Sequence, residues 1–176
     1  MKTRGIQIGI GSFALCTGAL IYLVDRPPES TYFVDQFFYK FTLYGIIPNI
    51  FGSAHKNLAS FLHVFSFVMI SAGISADSKT GYLMTALGWA AVNTAFEVGQ
   101  YFDTAAAAMV PAWFENYPLL DAVDKYFTAG CFDIFDIAAV FAGAAAGFFV
   151  LVGIDLYLVR SGGELKLFGE KRILNE

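Results

Sequence analysis

The chain has 176 residues, of which 57% are hydrophobic and 15% are charged, whereas a soluble domain has roughly 25% charged residues. This composition predicts an all-α integral membrane protein that forms one membrane domain, residues 1–176. The net charge of −4 argues against a nucleic-acid partner, because such a partner requires a basic surface. Two cysteines are too few for a disulfide framework.

Four apolar stretches have the length of transmembrane helices. A helix rises about 1.5 Å per residue, so roughly 20 residues cross the hydrocarbon core of a bilayer. The first stretch is too long for a signal-peptide core, and no small-residue cleavage site follows it, so we expect it to be retained. The predicted spans are residues 5–24, 57–74, 82–102 and 134–159, followed by a polar tail over 160–176.

Two aromatic-rich connections separate these spans. Residues 31–44 place phenylalanines on one helix face and polar groups on the other, which predicts an interfacial helix. Residues 45–53 are apolar but contain Pro48 and two glycines, so they are too short to span and could form a re-entrant piece. Residues 103–131 are long and acidic, with an amphipathic helix predicted over 118–127. Both segments, 31–53 and 103–131, offer aromatic surface to a membrane interface or to other subunits.

The distribution of basic residues predicts how the spans are oriented. Four spans put both termini on the same side of the membrane. If that side is the cytoplasm, it holds seven of the eleven Lys and Arg residues, which matches the positive-inside rule. We therefore expect both termini and the tail in the cytoplasm, and both aromatic connections outside.

In this topology, six polar residues gather near the outer ends of spans two, three and four. They include three residues at i, i+4 and i+7 on one face of span three. Polar groups at such depth are costly and require partners or a cavity, so they are the candidate ligand-binding residues. They are His63, Asn93, Glu97, Gln100, Asp133 and Asp136.

Each of these residues also has a structural interpretation. Asp133 and Asp136 stand where N-capping carboxylates are favoured, at the start of span four. His63 suits a hydrogen-bonded packing residue. Glu97 lies near a helix C-terminus, where the dipole disfavours an anion, so it requires a donor or a proton. If Glu97 and Asp136 face each other, we expect their donors to be His63, Asn93 and Gln100.

Small residues predict where helices approach each other closely. Gly143 and Gly147 lie four apart on span four, and Gly5 and Gly9 form a similar pair on span one. Glycines at this spacing let the backbone of a second helix approach. We therefore expect both pairs to be helix-packing seams.

Several of these motifs together resemble the VanZ-like family of small bacterial integral membrane proteins. The resemblance rests on Glu97-Val-Gly-Gln100, Asp133-Ile-Phe-Asp136, the Gly143 to Gly147 pair and His63 early in span two. It covers roughly residues 58–153, although Ala59-Ser60 replaces the family's Asp-Lys and the connection after Gln100 is longer than usual. The resemblance implies a multi-pass protein of the bacterial cytoplasmic membrane with a role in the cell envelope. The family's namesake is linked to glycopeptide-antibiotic resistance.

Two functions follow as hypotheses. The first is a structural or accessory subunit of a larger bacterial membrane assembly, which contacts other membrane subunits through 31–53 and 103–131. The alternative is a binder or transporter of an envelope lipid or amphiphile, held in the polar pocket near the outer leaflet. No nucleophile, metal or cofactor motif is visible, so we expect neither catalytic residues nor a metal or cofactor.

Overall fold

The computed structural model describes residues 2–28, 41–52, 55–117, 120–121 and 123–173, and within these it describes no side chains for residues 2, 55, 56 and 159–173. All regular elements in these ranges are helices, so the predicted all-α class is confirmed. The α-helices are α1 (Lys2–Asp25), α2 (His55–Ser75), α3 (Lys79–Phe102), α4 (Thr104–Ala107), α5 (Val123–Ala129) and α6 (Ile134–Ile173), and a 3₁₀ helix covers Ala112–Asn116.

Three of the described helices are long and apolar enough to cross a membrane. They do so over Thr3–Asp25, Asn57–Ser75 and Ile134–Leu158, within two residues of three predicted spans. Helix α3 is not among them, because polar residues such as Asn93 and Glu97 lower its mean hydropathy. A fourth span over α3 therefore stays a prediction.

Helix α2 is the central helix and packs against α1, α3 and α6. Its buried side chains form the core together with those of α3 and α6, including Val68, Met69 and Leu151, which are fully buried. Contacts along α2 pair Gly11 with Met69 and Gly73 with Ile8, so α1 and α2 are antiparallel. Helix α6 instead runs parallel to α2. The bundle therefore has one end where α2 and α6 begin, which we call the Asp136 end, and an opposite end, the Lys79 end.

Two glycines of α6 set its distance from α2. A Cβ atom at Gly143 would lie 2.5 Å from the backbone oxygen of Phe61, and one at Gly147 would lie 2.8 Å from Val68 Cγ1. Both distances are too short for real Cβ contacts, so a larger side chain would push the helices apart. Gly143 and Gly147 thus lie at the tightest contact between α6 and α2.

The seam on α1 differs from the predicted one. A Cβ atom at Gly5 or Gly9 would have no neighbour within 4 Å, whereas one at Gly11 would lie 2.7 Å from Ile70. The helical period explains why Gly5 and Gly9 do not face α2. Positions on the face of α1 that meets α2 recur every three or four residues, and positions 5 and 9 fall outside this series. Its buried positions are Gln7, Gly11, Ala14, Gly18 and Ile21.

The connection between α1 and α2 is described only in part. Residues 31–40, which hold most of the predicted interfacial helix, lie outside the described residues. Residues 41–52 fold back onto the end of α1, where Leu43 donates its backbone N–H to Leu23 at 2.8 Å. The buried Asp25 carboxylate accepts the backbone N–H groups of Ile50 at 3.0 Å and Phe51 at 2.8 Å. This segment is therefore tied to the helix end by Asp25.

One boundary in the long connection differs from the sequence prediction. Of the helix predicted over 118–127, residues 120 and 121 form a turn and the described helix covers Val123–Ala129, while residues 118, 119 and 122 lie outside the described part. Helix α6 continues beyond its apolar part, Ile134–Leu158, to Ile173, so the polar tail that follows the predicted span is helical as far as it is described.

Candidate functional site

Asp136 lies at the contact between α6 and α2. Its carboxylate Oδ1 accepts hydrogen bonds from Asn57 Nδ2 at 3.1 Å and from Ser60 Oγ at 2.8 Å. Asn57 and Ser60 are three residues apart, so both side chains lie on the face of α2 that meets α6. Asp136 therefore joins two helices through charge-assisted hydrogen bonds, in addition to its place in the first turn of α6.

Asp133 has a different role from Asp136. Its side-chain Oδ1 accepts the backbone N–H of Phe135 at 2.8 Å, and its backbone oxygen accepts the N–H of Asp136 at 3.0 Å. These are the contacts of a helix N-cap, which satisfies donors that the first helical turn leaves free. Asp133 thus caps α6.

Glu97 approaches the same end of the bundle from α3. Its Oε2 atom is buried and has no hydrogen-bond partner among the described residues, as is true of Thr94 Oγ1 on the same helix. The carboxylates of Asp136 and Asp133 are close enough to act on it electrostatically. A buried acceptor without a donor is unfavourable, and neighbouring negative charge increases that cost. The structure therefore places Glu97 within electrostatic range of Asp136 and leaves one of its carboxylate oxygens without a donor among the described residues.

Asn93 and His63 do not provide donors to these carboxylates in the described contacts. Asn93 Nδ2 donates to the backbone oxygen of Trp89 in its own helix at 2.8 Å. His63 packs edge-on against Phe67 with ring centroids 4.4 Å apart, and Phe67 in turn stacks on Trp89 at 4.5 Å. Trp89 Nε1 donates to Ser71 Oγ at 2.9 Å. His63 is therefore part of an aromatic contact between α2 and α3, whereas Asn93 bonds to the backbone of its own helix.

Gln100 lies where α5 meets the end of α3. A Cβ atom at Gly130 would lie 2.5 Å from Gln100 Cδ, so only glycine leaves room for this side chain. The Tyr126 hydroxyl lies beside Gln100 and Glu97. Although the Tyr126 side chain as a whole is 40% exposed, desolvation of its hydroxyl, and then the charge of Glu97, raise the pKa of that hydroxyl. The hydroxyl therefore stays protonated at neutral pH and can donate a hydrogen bond at this site.

The donors to Asp136 were not those predicted from the sequence. We expected His63, Asn93 and Gln100, and the structure places Asn57 and Ser60 there instead. The sequence did contain a signal for these donors. Asn57 and Ser60 lie three residues apart at the start of span two, and in a parallel arrangement that end lies next to the start of span four. Tyr126 was also missed, because its position depends on how the long connection folds. Among the described residues, no three His, Cys, Asp or Glu side chains are grouped to hold a metal ion.

No protein-family model, curated protein or solved structure matches this chain. The fold itself defines the class as an all-α protein, with three described helices that are suited to a membrane by length and composition. The VanZ-like resemblance rests on the short motifs alone.

Proposed function

We propose that this protein is an accessory subunit of a larger bacterial membrane assembly and that it docks a partner protein on the surface formed by α4, the 3₁₀ helix and α5. We call this surface the aromatic platform, and its described residues are 104–117, 120–121 and 123–129. One observation carries the proposal. The platform is anchored to α3, yet none of its three helices buries a residue within the chain, as far as they are described.

The anchoring of the platform depends on close packing at Gly99. A Cβ atom there would lie 2.4 Å from the Phe127 ring, so the ring sits directly on the backbone of α3. Phe127 also stacks on Phe96 with ring centroids 5.7 Å apart, and Tyr126 meets Phe96 edge-on at 5.6 Å. Ordered aromatic side chains on a fixed support lose little conformational entropy on binding, which favours a docking role.

The composition of the platform favours a protein partner with a basic surface. Its exposed apolar side chains include Met109 at 84%, Trp113 at 56% and Tyr117 at 56% exposure. Trp113 and Tyr117 already contact each other edge-on, with ring centroids 5.9 Å apart. Exposed aromatic and methionine side chains are typical of interfaces. The charged residues around them are mostly acidic, with Glu115 and Asp124 against Lys125, so an anionic lipid surface suits the platform less well than a basic protein does.

The proposed setting is the bacterial cytoplasmic membrane, with four spans and cytoplasmic termini. The antiparallel packing of α1 on α2 and the parallel packing of α6 on α2 support this topology, because each apolar helix then crosses in the required direction. The bias of basic residues towards the Lys79 end supports the orientation. The platform then lies outside the cytoplasm, together with the Asp136 end.

Purification from native membranes in a gentle detergent, followed by native mass spectrometry, tests the proposed subunit role. We expect a defined partner to accompany the protein and to be lost from the double variant Trp113→Ala, Tyr117→Ala. The control is Phe149→Ala, which removes a ring that is 69% exposed on α6, far from the platform. A protein that is monomeric in every detergent, or a partner that both variants retain equally, would refute the platform as a docking surface.

The carboxylates at the Asp136 end favour a second candidate function, the binding of an amphiphile with a cationic head. This candidate is supported by Glu97, whose buried Oε2 atom has no donor among the described residues. Asp136 and the Tyr126 hydroxyl lie within electrostatic range of this carboxylate. A ligand ammonium group would supply N–H donors to Glu97 and offset the repulsion between the two carboxylates. This function agrees with the envelope role that the VanZ-like resemblance implies.

The double variant Glu97→Gln, Asp136→Asn tests this second candidate. Binding of a long-chain alkylammonium probe in detergent should weaken by at least about tenfold, since about 1.4 kcal/mol corresponds to that factor. The matched control, Glu115→Gln, neutralises an exposed carboxylate on the 3₁₀ helix and should bind as the wild type does. Unchanged binding in a double variant that folds would exclude the carboxylates as a cation site.

A further inference from the structure

A second polar site lies at the Lys79 end, on the opposite side of the bundle from the carboxylates described above. An open surface pocket of about 490 Å³ lies between α1, α3 and α6, and we call it the cavity. Its volume lies within the range of small-molecule sites. The cavity is lined by Thr3, Lys79, Asp155, Leu156 and Leu158.

The cavity presents one positive and one negative group. Lys79 is exposed at the first position of α3, and Asp155 is half-buried on α6. Among the described side chains, the ion pair at this end joins Arg4 to Asp77, and Lys79 and Asp155 are not bridged to each other. The charge of Lys79 also stands at a helix N-terminus, where the dipole favours an anion. The lysine therefore gains from a negatively charged ligand group placed beside it.

A buried polar chain supports Asp155 from inside the bundle. The Asp155 carboxylate lies beside the Tyr82 hydroxyl, and Gln7 Nε2 donates to that hydroxyl at 3.2 Å. Gln7 is 1% exposed and Tyr82 is 3% exposed. Gln7 Oε1 has no hydrogen-bond partner among the described residues. Burying such groups in an apolar bundle is costly, so Gln7 and Tyr82 form a polar support that holds the Asp155 carboxylate from inside the bundle.

We propose that this cavity binds a phosphate–ammonium zwitterion, with the phosphate at Lys79 and a primary ammonium group at Asp155. The headgroup of phosphatidylethanolamine has this chemistry, and so do soluble phosphoethanolamine compounds. Leu156 is 57% exposed beside the two charged residues, so the apolar wall suits an acyl chain that leaves the cavity along α6. The site is independent of the aromatic platform and of Glu97, because it lies at the other end of the bundle.

Binding of three lipids and one soluble compound tests which chemical groups of the ligand the cavity requires. We would incubate the purified full-length chain in detergent with phosphatidylethanolamine, phosphatidylcholine, phosphatidylglycerol or glycerophosphoethanolamine, and measure retained ligand by native mass spectrometry. Phosphatidylcholine keeps the charge but cannot donate a hydrogen bond to Asp155, and phosphatidylglycerol lacks the cation. We expect phosphatidylethanolamine to bind at least about tenfold more tightly than both, as the loss of a charge-assisted hydrogen bond predicts.

The soluble compound identifies the source of the zwitterion. Glycerophosphoethanolamine binding as tight as that of the lipid would assign the site to a free solute, and weaker binding would assign it to the membrane. Where phosphatidylethanolamine is the preferred lipid, either result is compatible with the proposed ligand chemistry. Equal retention of the three lipids would overturn that chemistry, whatever the soluble compound does.

Two variants test whether phosphatidylethanolamine binds in this cavity. Lys79→Gln and Asp155→Asn should each reduce retention of phosphatidylethanolamine by about tenfold or more. Glu115→Gln, at the opposite end, should not change it. Lys79 is exposed, so its variant tests the site even if Asp155→Asn weakens the bundle. Retention at the wild-type level in a folded Lys79→Gln protein would overturn the proposal.

Discussion

At the scale of single residues, the Asp136 side chain joins α6 to α2 by two hydrogen bonds. It accepts from two donors on the neighbouring helix, Asn57 and Ser60, at a half-buried position. A buried acceptor that loses a donor keeps its desolvation cost and loses its compensation. The arrangement is therefore more sensitive to the loss of a donor than an exposed hydrogen bond would be.

Replacing one donor tests this dependence. Ser60→Ala should lower the free energy of unfolding by about 1–3 kcal/mol, the cost of leaving a buried charged acceptor without one hydrogen bond. Ser75→Ala is the control, because Ser75 Oγ donates only to the backbone of Ser71 in its own exposed turn. Denaturant unfolding in detergent would measure both. Equal, small effects of the two changes would show that the Ser60 contact does not stabilise the bundle.

The backbone conformation of Asp103 gives a second prediction, which concerns the stability of the protein. It ends α3 with φ of 45° and ψ of −108°, a region that L-residues rarely adopt, and its side chain makes no capping hydrogen bond to α4. Glycine adopts a positive φ without this strain. Asp103→Gly should therefore raise the free energy of unfolding by about 0.5–1 kcal/mol.

The matched change Asp103→Ala removes the same carboxylate but keeps the Cβ atom and its strain. Its stability should stay at or below that of the wild type in the same thermal unfolding experiment. A gain of equal size in both variants would assign the effect to the charge and not to the backbone conformation.

At the scale of elements, the approach of α6 to α2 is set by Gly143. A Cβ atom at this position would lie 2.5 Å from Phe61 backbone oxygen, which cannot move without shifting α2. Gly143→Ala should therefore destabilise the bundle by about 1–3 kcal/mol through overpacking. Gly143→Leu should disrupt it further, and more than Glu97→Gln does.

Gly153→Ala is the control on the same helix, because a Cβ atom there would have no neighbour within 4 Å. It should leave stability unchanged or slightly increased, as expected for alanine in a helix. Size-exclusion chromatography and thermal unfolding in detergent would compare the two variants. If both glycines tolerated alanine equally, the close contact between α6 and α2 would not limit packing.

At the scale of the whole molecule, the orientation proposed above can be tested with Cys131, which is exposed just before α6. In spheroplasts, a membrane-impermeant thiol reagent should label Cys131 and should not label a cysteine placed by Ser78→Cys. The reason is the excess of Lys and Arg on the side of Ser78, which the positive-inside rule assigns to the cytoplasm. Cys16→Ala in the background removes the other thiol. Labelling at position 78 but not at 131 would reverse the topology and move the aromatic platform into the cytoplasm.

The sequence alone determined the helical class and the limits of three apolar spans to within two residues, because both depend on local hydropathy and length. For Asp133 the sequence left two roles open, ligand binding and capping, and the structure shows the capping contact between near neighbours in the chain. Only the tertiary structure decided that Asn57 and Ser60 hold Asp136, and that Gly11 rather than Gly5 and Gly9 meets α2. These contacts depend on the rotation of each helix about its axis, and that rotation is set by packing against neighbours that are distant in the sequence.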